Sequence, residues 1–223
     1  IFSIQSVDGN ISGNALDIVS YFGNKSTMRL IAANNIVPST TLVDMYENAD
    51  GSPFDWNDPE MASNPYDRRD PRLAKTIYHN GSRFRETVIA TYIGGRNGKG
   101  VPSATRTGYY LRKMVDESLD LLQNRSSYHC WPIFRLAEIY LNGAEALNES
   151  DPSNPAVVRY LNMSRLRYGI NMPEVPENLS QDEMREAIRR ERRIELAFEG
   201  HRYWDVKRWM IADKVLNTPV YGI

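Results

Sequence analysis

The chain has 223 residues, of which 41% are hydrophobic, 25% charged and 10% aromatic, and its formal net charge is −1. That is the composition of a globular protein with a sizeable core, and it offers no basic field to draw nucleic acid or an anionic membrane. No apolar run approaches the roughly 18 residues of a membrane span, and Cys130, the single cysteine, has no partner for an intrachain disulfide.

The chain opens on IFSIQSV, where Phe2, Ile4 and Val7 alternate as in an internal strand rather than a secretory leader. After polar Gly/Asn/Ser stretches, Pro38, Ser39 and Thr40 start a short helix predicted over 42–47. An acidic loop follows, GSPFDWNDPE, in which Pro53 and Pro59 restrict the backbone around Trp56. Asp70-Pro71-Arg72 comes next, and a neighbouring Asp/Arg pair can pin a loop against a strand. Asn80-Gly81 predicts a hairpin joining 73–78 to 84–92. GGRNGKG, 94–100, lacks both phosphate-loop spacings and reads as a flexible surface loop. His129-Cys130 is no metal-ligand spacing, and His79 and His201 stand alone, so no metal site is expected.

From Trp131 the character turns helical, with helices predicted at 133–148, 156–168, 181–199 and 202–211. Pro132 suits a first helical turn. The first helix is apolar around most of its circumference, with Glu138, Asn142, Glu145 and Glu149 as its polar stripe. Small residues (Ala137, Gly143, Ala144) suit close contact with the second, giving a tetratricopeptide-like pair. Ser180 and Glu183 form a capping box for the third, and Gly200 supplies its stop. Glu191 and Glu195 share a face with Ile188 and Phe198, so they point inward, and buried carboxylates need partners. Arg192 and Arg202 are chosen for a structural ion-pair network from the candidates Arg189, Arg190, Arg192, Arg193, Arg202 and Arg208. A catalytic carboxylate pair would need an open cleft and a partner of raised pKa, and the spacing shows neither. No catalytic residue is assigned.

ERRIELAFEGHRYWDVKRW resembles the C-terminal signature of the SusD/RagB family, surface glycan-binding lipoproteins of Gram-negative bacteria. PSTTLVDMYENADGSPFDW, the Asp70-Pro71-Arg72 motif and TGYYLRK (107–113) resemble further family segments, in order, from about Pro38 to Met210. The resemblance implies a mainly α fold with tetratricopeptide-like helix pairs: a loop- and hairpin-rich part, 1–130, and a helical part, 131–223. It also implies that the family's first half and its lipidated N-terminal cysteine lie outside this chain. The implied function is binding of an oligosaccharide or polysaccharide and its delivery to a SusC-type TonB-dependent transporter, on the extracellular face of the outer membrane. Neither catalysis nor a cofactor is expected. The alternatives are a helical scaffold that contacts the transporter or another protein without touching sugar, and a glycoside hydrolase using Asp55 and Asp58. Trp56 has two open roles: a loop anchor, or a sugar-stacking platform with Asp55, Asn57 and Arg96 as hydrogen-bond partners.

Overall fold

The structure is a computed structural model that describes residues 2–5, 37–101, 104–115, 117 and 130–223. The possible strand position Val7 lies outside them. The fold is mainly helical with few, short strands. Helices are α1 (Thr40–Asp44), α2 (Pro59–Ser63), α3 (Pro71–Thr76), α4 (Leu136–Ser150), α5 (Ala156–Arg165), α6 (Gln181–Glu195), α7 (His201–Arg208) and α8 (Ala212–Leu216). Strands are β1 (Phe2–Gln5), β2 (Ile77–Tyr78), β3 (Arg83–Phe84), β4 (Thr87–Val88), β5 (Tyr110–Leu111) and β6 (Cys130–Phe134). The chain divides into two compact units. One holds Ile1–Phe2, Asp44–Leu73 and Pro132–Pro219; the other holds Ser3–Val43, Ala74–Trp131 and Val220–Ile223.

The core of the first unit is a three-helix cluster. Leu141 and Ala144 of α4, Val157 and Leu161 of α5, and Met184 and Ile188 of α6 close around one another with Leu196. Burying each large apolar side chain contributes roughly 1.5–3 kcal/mol. Gly143 lets α5 approach: a Cβ there would sit 3.1 Å from the Tyr160 ring, which stacks on Tyr140 at 6.0 Å. The capping box at Ser180 forms in both directions.

Several predicted boundaries move: the short helix expected over 42–47 lies at Thr40–Asp44, the helix expected over 202–211 at His201–Arg208, and further ends shift as well. The first helix begins at Leu136 instead of 133, because residues 130–134 form β6, paired with β1. Pro132 therefore lies in a strand of a two-stranded sheet, where every strand is an edge and a missing N–H is tolerated. The third helix ends at Glu195, four residues early. Phe198 (φ 63°) and Gly200 (φ 84°) both adopt the left-handed conformation that ends a right-handed helix. The second ends at Arg165 rather than 168.

In the second unit, β2 pairs antiparallel with β5, with Tyr78 opposite Tyr110. The expected hairpin between 73–78 and 84–92 is thus corrected. Residues 71–76 are helical, and the reversal falls between β3 and β4, with Arg85 at φ 52°. Asn80 and Gly81 brace that hairpin instead: Asn80 Oδ1 accepts from Thr91 N at 3.0 Å, and Gly81 N donates to the Ile89 carbonyl at 2.9 Å. The 94–100 loop is pinned down. Asn97 bonds the Ala90 backbone in both directions, and a Cβ on Gly98 would lie 2.4 Å from the Tyr92 carbonyl oxygen. Among the described residues no helix is long and apolar enough to cross a membrane.

Candidate functional site

The acidic loop of the first unit is built from local hydrogen bonds. Asp58 caps α2, its Oδ1 accepting from Glu60 N at 2.8 Å and Met61 N at 3.1 Å, and Pro59 opens the helix where no N–H is required. Asp55 Oδ1 accepts from the backbone N and the side-chain Nδ2 of Asn57, both at 2.8 Å. Between them stands Trp56, 39% exposed.

Trp56 is fixed at both ends of its indole. Nε1 donates to Asp44 Oδ1 at 3.0 Å, and the ring meets Phe54 edge to face at 4.9 Å. Phe54 in turn lies under the Arg69 guanidinium, 4.0 Å from its centroid. Burial lifts the Asp44 carboxyl above its ordinary range, against the opposing pulls of the Trp56 hydrogen bond and the Arg69 charge. The loop thus presents a ring held in one orientation with part of its surface open, flanked by exposed Asp55 and Asn57. Arg96, the remaining predicted contact, belongs to the second unit. It is exposed there, and its guanidinium donates to the Val88 carbonyl.

Glu191 and Glu195 sit in a different environment, 1% and 2% exposed. Arg72 is their shared partner. Its Nη1 donates to Glu195 Oε2 at 3.0 Å and also to Glu191, and its Nη2 donates to Glu191 Oε2 at 3.1 Å. The same guanidinium holds Asp70, with Nη2–Oδ2 at 2.7 Å. Glu191 also accepts from Ser164 Oγ at 2.7 Å and Arg165 Nη1 at 3.2 Å. Glu195 accepts from Arg135 Nη1 at 2.7 Å and Arg167 Nη2 at 3.0 Å. Arg135 continues to Glu199 at 2.6 Å, and Arg165 to Glu47 at 2.6 Å.

The protonation states follow from these contacts. Burial alone would pull the Arg72 guanidinium down, but Glu191 and Asp70 carry it well above its usual range. Burial would raise Glu195, yet Arg135, Arg167 and Arg72 together hold it below the ordinary carboxylate value. Both glutamates are thus hydrogen-bonded to buried arginines drawn from other elements, and Glu191 to the Ser164 hydroxyl as well, which is the arrangement of a structural clamp.

The expected partners of these glutamates differ from those found. Arg192 turns away to Asp205, with Nε 2.8 and 2.9 Å from the two oxygens, and to Asn142 at 2.6 Å. Arg202 reaches neither glutamate. Being one residue past Glu191, Arg192 projects about 100° round the helix, toward α7. The arginines that do arrive (Arg72, Arg135, Arg165, Arg167) come from other elements. One signal pointed to Arg72: Asp70-Pro71-Arg72 predicts an Asp/Arg pair, and that pair forms. The polar stripe of α4 is likewise an interhelical seam. Glu138 lies 3.8 Å from His201 Nδ1, Asn142 accepts from Arg192, Glu145 from Arg208 and Trp209, and Glu149 from Arg185.

Among the described residues no group of His, Cys, Asp and Glu side chains is arranged to hold a metal ion. Comparison with known proteins gives a consistent picture. The sequence profile described as the SusD family matches residues 2–223. A SusD-like protein, P2, from Formosa agariphila is 43% identical over 88 residues, covering 37% of this chain and 17% of its own length. A second from that organism, P25, is 43% identical over 91 residues, covering 40% of this chain and 17% of itself. A crystal structure of a SusD-like carbohydrate-binding protein from Bacteroides fragilis superposes with a TM-score of 0.74 at 36% identity, over 83% of this chain and 37% of that one. These matches thus span about a sixth of the curated relatives and just over a third of the solved structure.

Proposed function

Because the chain belongs to the SusD family, matched along residues 2–223, we propose that it captures an oligosaccharide or polysaccharide at the cell surface. It hands the sugar, without catalysing a reaction, to a SusC-type TonB-dependent transporter in the outer membrane. A lipid on the N-terminus of the complete protein attaches it to the extracellular face.

The observation that carries the binding site is the fixed, partly open indole of Trp56. A ring that stacks on the apolar face of a sugar gains most when its orientation is set beforehand, since little entropy is then lost on binding. The bond to Asp44 and the edge contact with Phe54 supply that setting. Asp55 and Asn57 stand beside the ring as hydrogen-bonding groups for sugar hydroxyls. Hydrolysis is disfavoured by the same loop: Asp58 is occupied as a helix cap and Asp55 by Asn57.

The test is Trp56→Ala and Trp56→Phe in the complete protein, with affinity and melting temperature measured together. An aromatic contact is worth about 0.5–1.5 kcal/mol beyond the area it buries, so Trp56→Ala weakens glycan binding roughly tenfold. Trp56→Phe keeps a ring and most of the affinity. Unchanged affinity in Trp56→Ala at unchanged melting temperature removes Trp56 from the site.

A further inference from the structure

Beneath the Trp56 loop lies a buried cation that touches no exposed part of it. Arg69 is 6% exposed, and backbone oxygens from both arms of the loop hold its guanidinium. Nε and Nη2 donate to the Tyr46 carbonyl at 3.2 and 2.6 Å, and Nη1 donates to the Pro65 carbonyl at 2.7 Å. The backbone brings it there by pairing the two arms. Asn48 and Arg69 form an antiparallel bridge, Ala49 N donates to the Arg68 carbonyl at 2.7 Å, and Asp70 N donates to the Glu47 carbonyl at 2.8 Å.

With its edge turned to those carbonyls, the guanidinium offers its flat face to Phe54, whose ring centroid lies 4.0 Å from Cζ. Contacts of this kind are strongest where water is excluded. Phe54 in turn meets Trp56 edge to face at 4.9 Å. The indole Nε1 is tied separately to Asp44, a carboxyl that the Arg69 charge also draws on. The orientation of the exposed ring thus depends, through Phe54, on a side chain buried below it. Lysine could not take this place, since an ammonium has neither a flat face nor a fork for two carbonyls.

We propose that Arg69 is the positioning residue of the Trp56 platform: its guanidinium, gripped by the Tyr46 and Pro65 carbonyls, sets the Phe54 ring, and Phe54 sets the indole offered to sugar. The inference rests on the reading of Trp56 as the stacking surface and adds the residue that aligns it. Part of the glycan affinity then traces to a side chain the sugar never touches, because a ring aligned beforehand loses little freedom on binding.

Two measurements on the complete protein test this, the first without sugar. In protein labelled with fluorotryptophan, the Trp56 fluorine resonance is the one that Trp56→Phe removes. Arg69→Lys keeps the charge but loses the flat fork, and it moves that resonance toward the position of free fluorotryptophan while the other tryptophan resonances stay in place. Phe54→Leu leaves Arg69 and its carbonyl contacts intact, breaks the same chain one link later and gives the same shift; it carries the test if Arg69→Lys fails to fold. A Trp56 resonance that stays put in either folded variant overturns the proposal, as does a shift of all tryptophan resonances together. The second measurement is affinity for cellohexaose, mannohexaose and laminarihexaose. For whichever binds the parent, Arg69→Lys weakens binding about threefold or more and adds no further loss in the Trp56→Ala background. Equal losses in the two backgrounds overturn the proposal, because Arg69 then acts apart from the indole. If Trp56→Ala leaves affinity unchanged, it is the stacking reading that fails, and where none of the three sugars binds, the resonance alone decides whether Arg69 aligns the ring.

Discussion

Arg72→Met separates a structural clamp from a functional one. Arg72 is 3% exposed and is hydrogen-bonded to three carboxylates, Asp70, Glu191 and Glu195. Methionine fills much of the same volume, so packing loss is small and the effect is electrostatic. Glu191 keeps Arg165 and Ser164, and Glu195 keeps Arg135 and Arg167. Asp70, 1% exposed, loses the cation that clasps it, and breaking a buried pair this way costs about 3–5 kcal/mol. The two glutamates then face each other without the guanidinium that joined them, which places the total near or above ~5 kcal/mol. A domain holds only about 5–15 kcal/mol in all. Urea unfolding followed by far-UV circular dichroism measures the change directly. Adding Asp70→Asn, which removes the stranded charge, should recover a substantial part of the loss. A loss below ~1 kcal/mol for Arg72→Met, or no recovery in the double variant, refutes the clamp.

Glu195→Ala costs less, about 3 kcal/mol, because Arg72 retains Asp70 and Glu191, Arg135 retains Glu199, and the 42% exposed Arg167 side chain can turn to water; whatever remains folded binds glycan as before. The Glu195 carboxyl is held below its ordinary value of 4.5, so its contribution is complete above the unfolded-state pKa and is lost as pH falls through the lower folded value. Melting temperature should therefore hold steady above about pH 5 and drop below pH 4; a flat profile down to pH 3 contradicts this. Gly98→Ala forces a Cβ toward the Tyr92 carbonyl oxygen at 2.4 Å, so the pinned loop must shift, and limited proteolysis should cut 94–100 faster than in the parent. Ser180→Ala removes a capping-box oxygen and should cost about 1 kcal/mol in urea unfolding.

The α4–α7 helices were legible because their apolar spacing and caps are local properties, and α6 carries both at once. Their ends were harder. Pro132 satisfies a first helical turn and an edge strand equally, and only the pairing of β6 with β1 decides between them. Glu191 and Glu195 could be placed inward from periodicity alone, since a helix face is fixed by spacing. Their partners could not. Arg72 lies 119 residues from Glu191, and a nearby run of arginines on α6 was the more visible supply. Those arginines face other directions, toward Asp205, Glu186 and Trp209. Trp56 was found by the scarcity of local cover around it, while its anchor, Asp44, sits twelve residues back on a different element.

Sugar capture itself is tested most directly by isothermal titration of the complete protein against a panel of neutral and acidic oligosaccharides, with reducing ends assayed in the same samples. The account predicts saturable binding of at least one oligosaccharide, with no new reducing ends. Absence of binding across the panel, or release of reducing ends that a single Asp or Glu substitution abolishes, contradicts it.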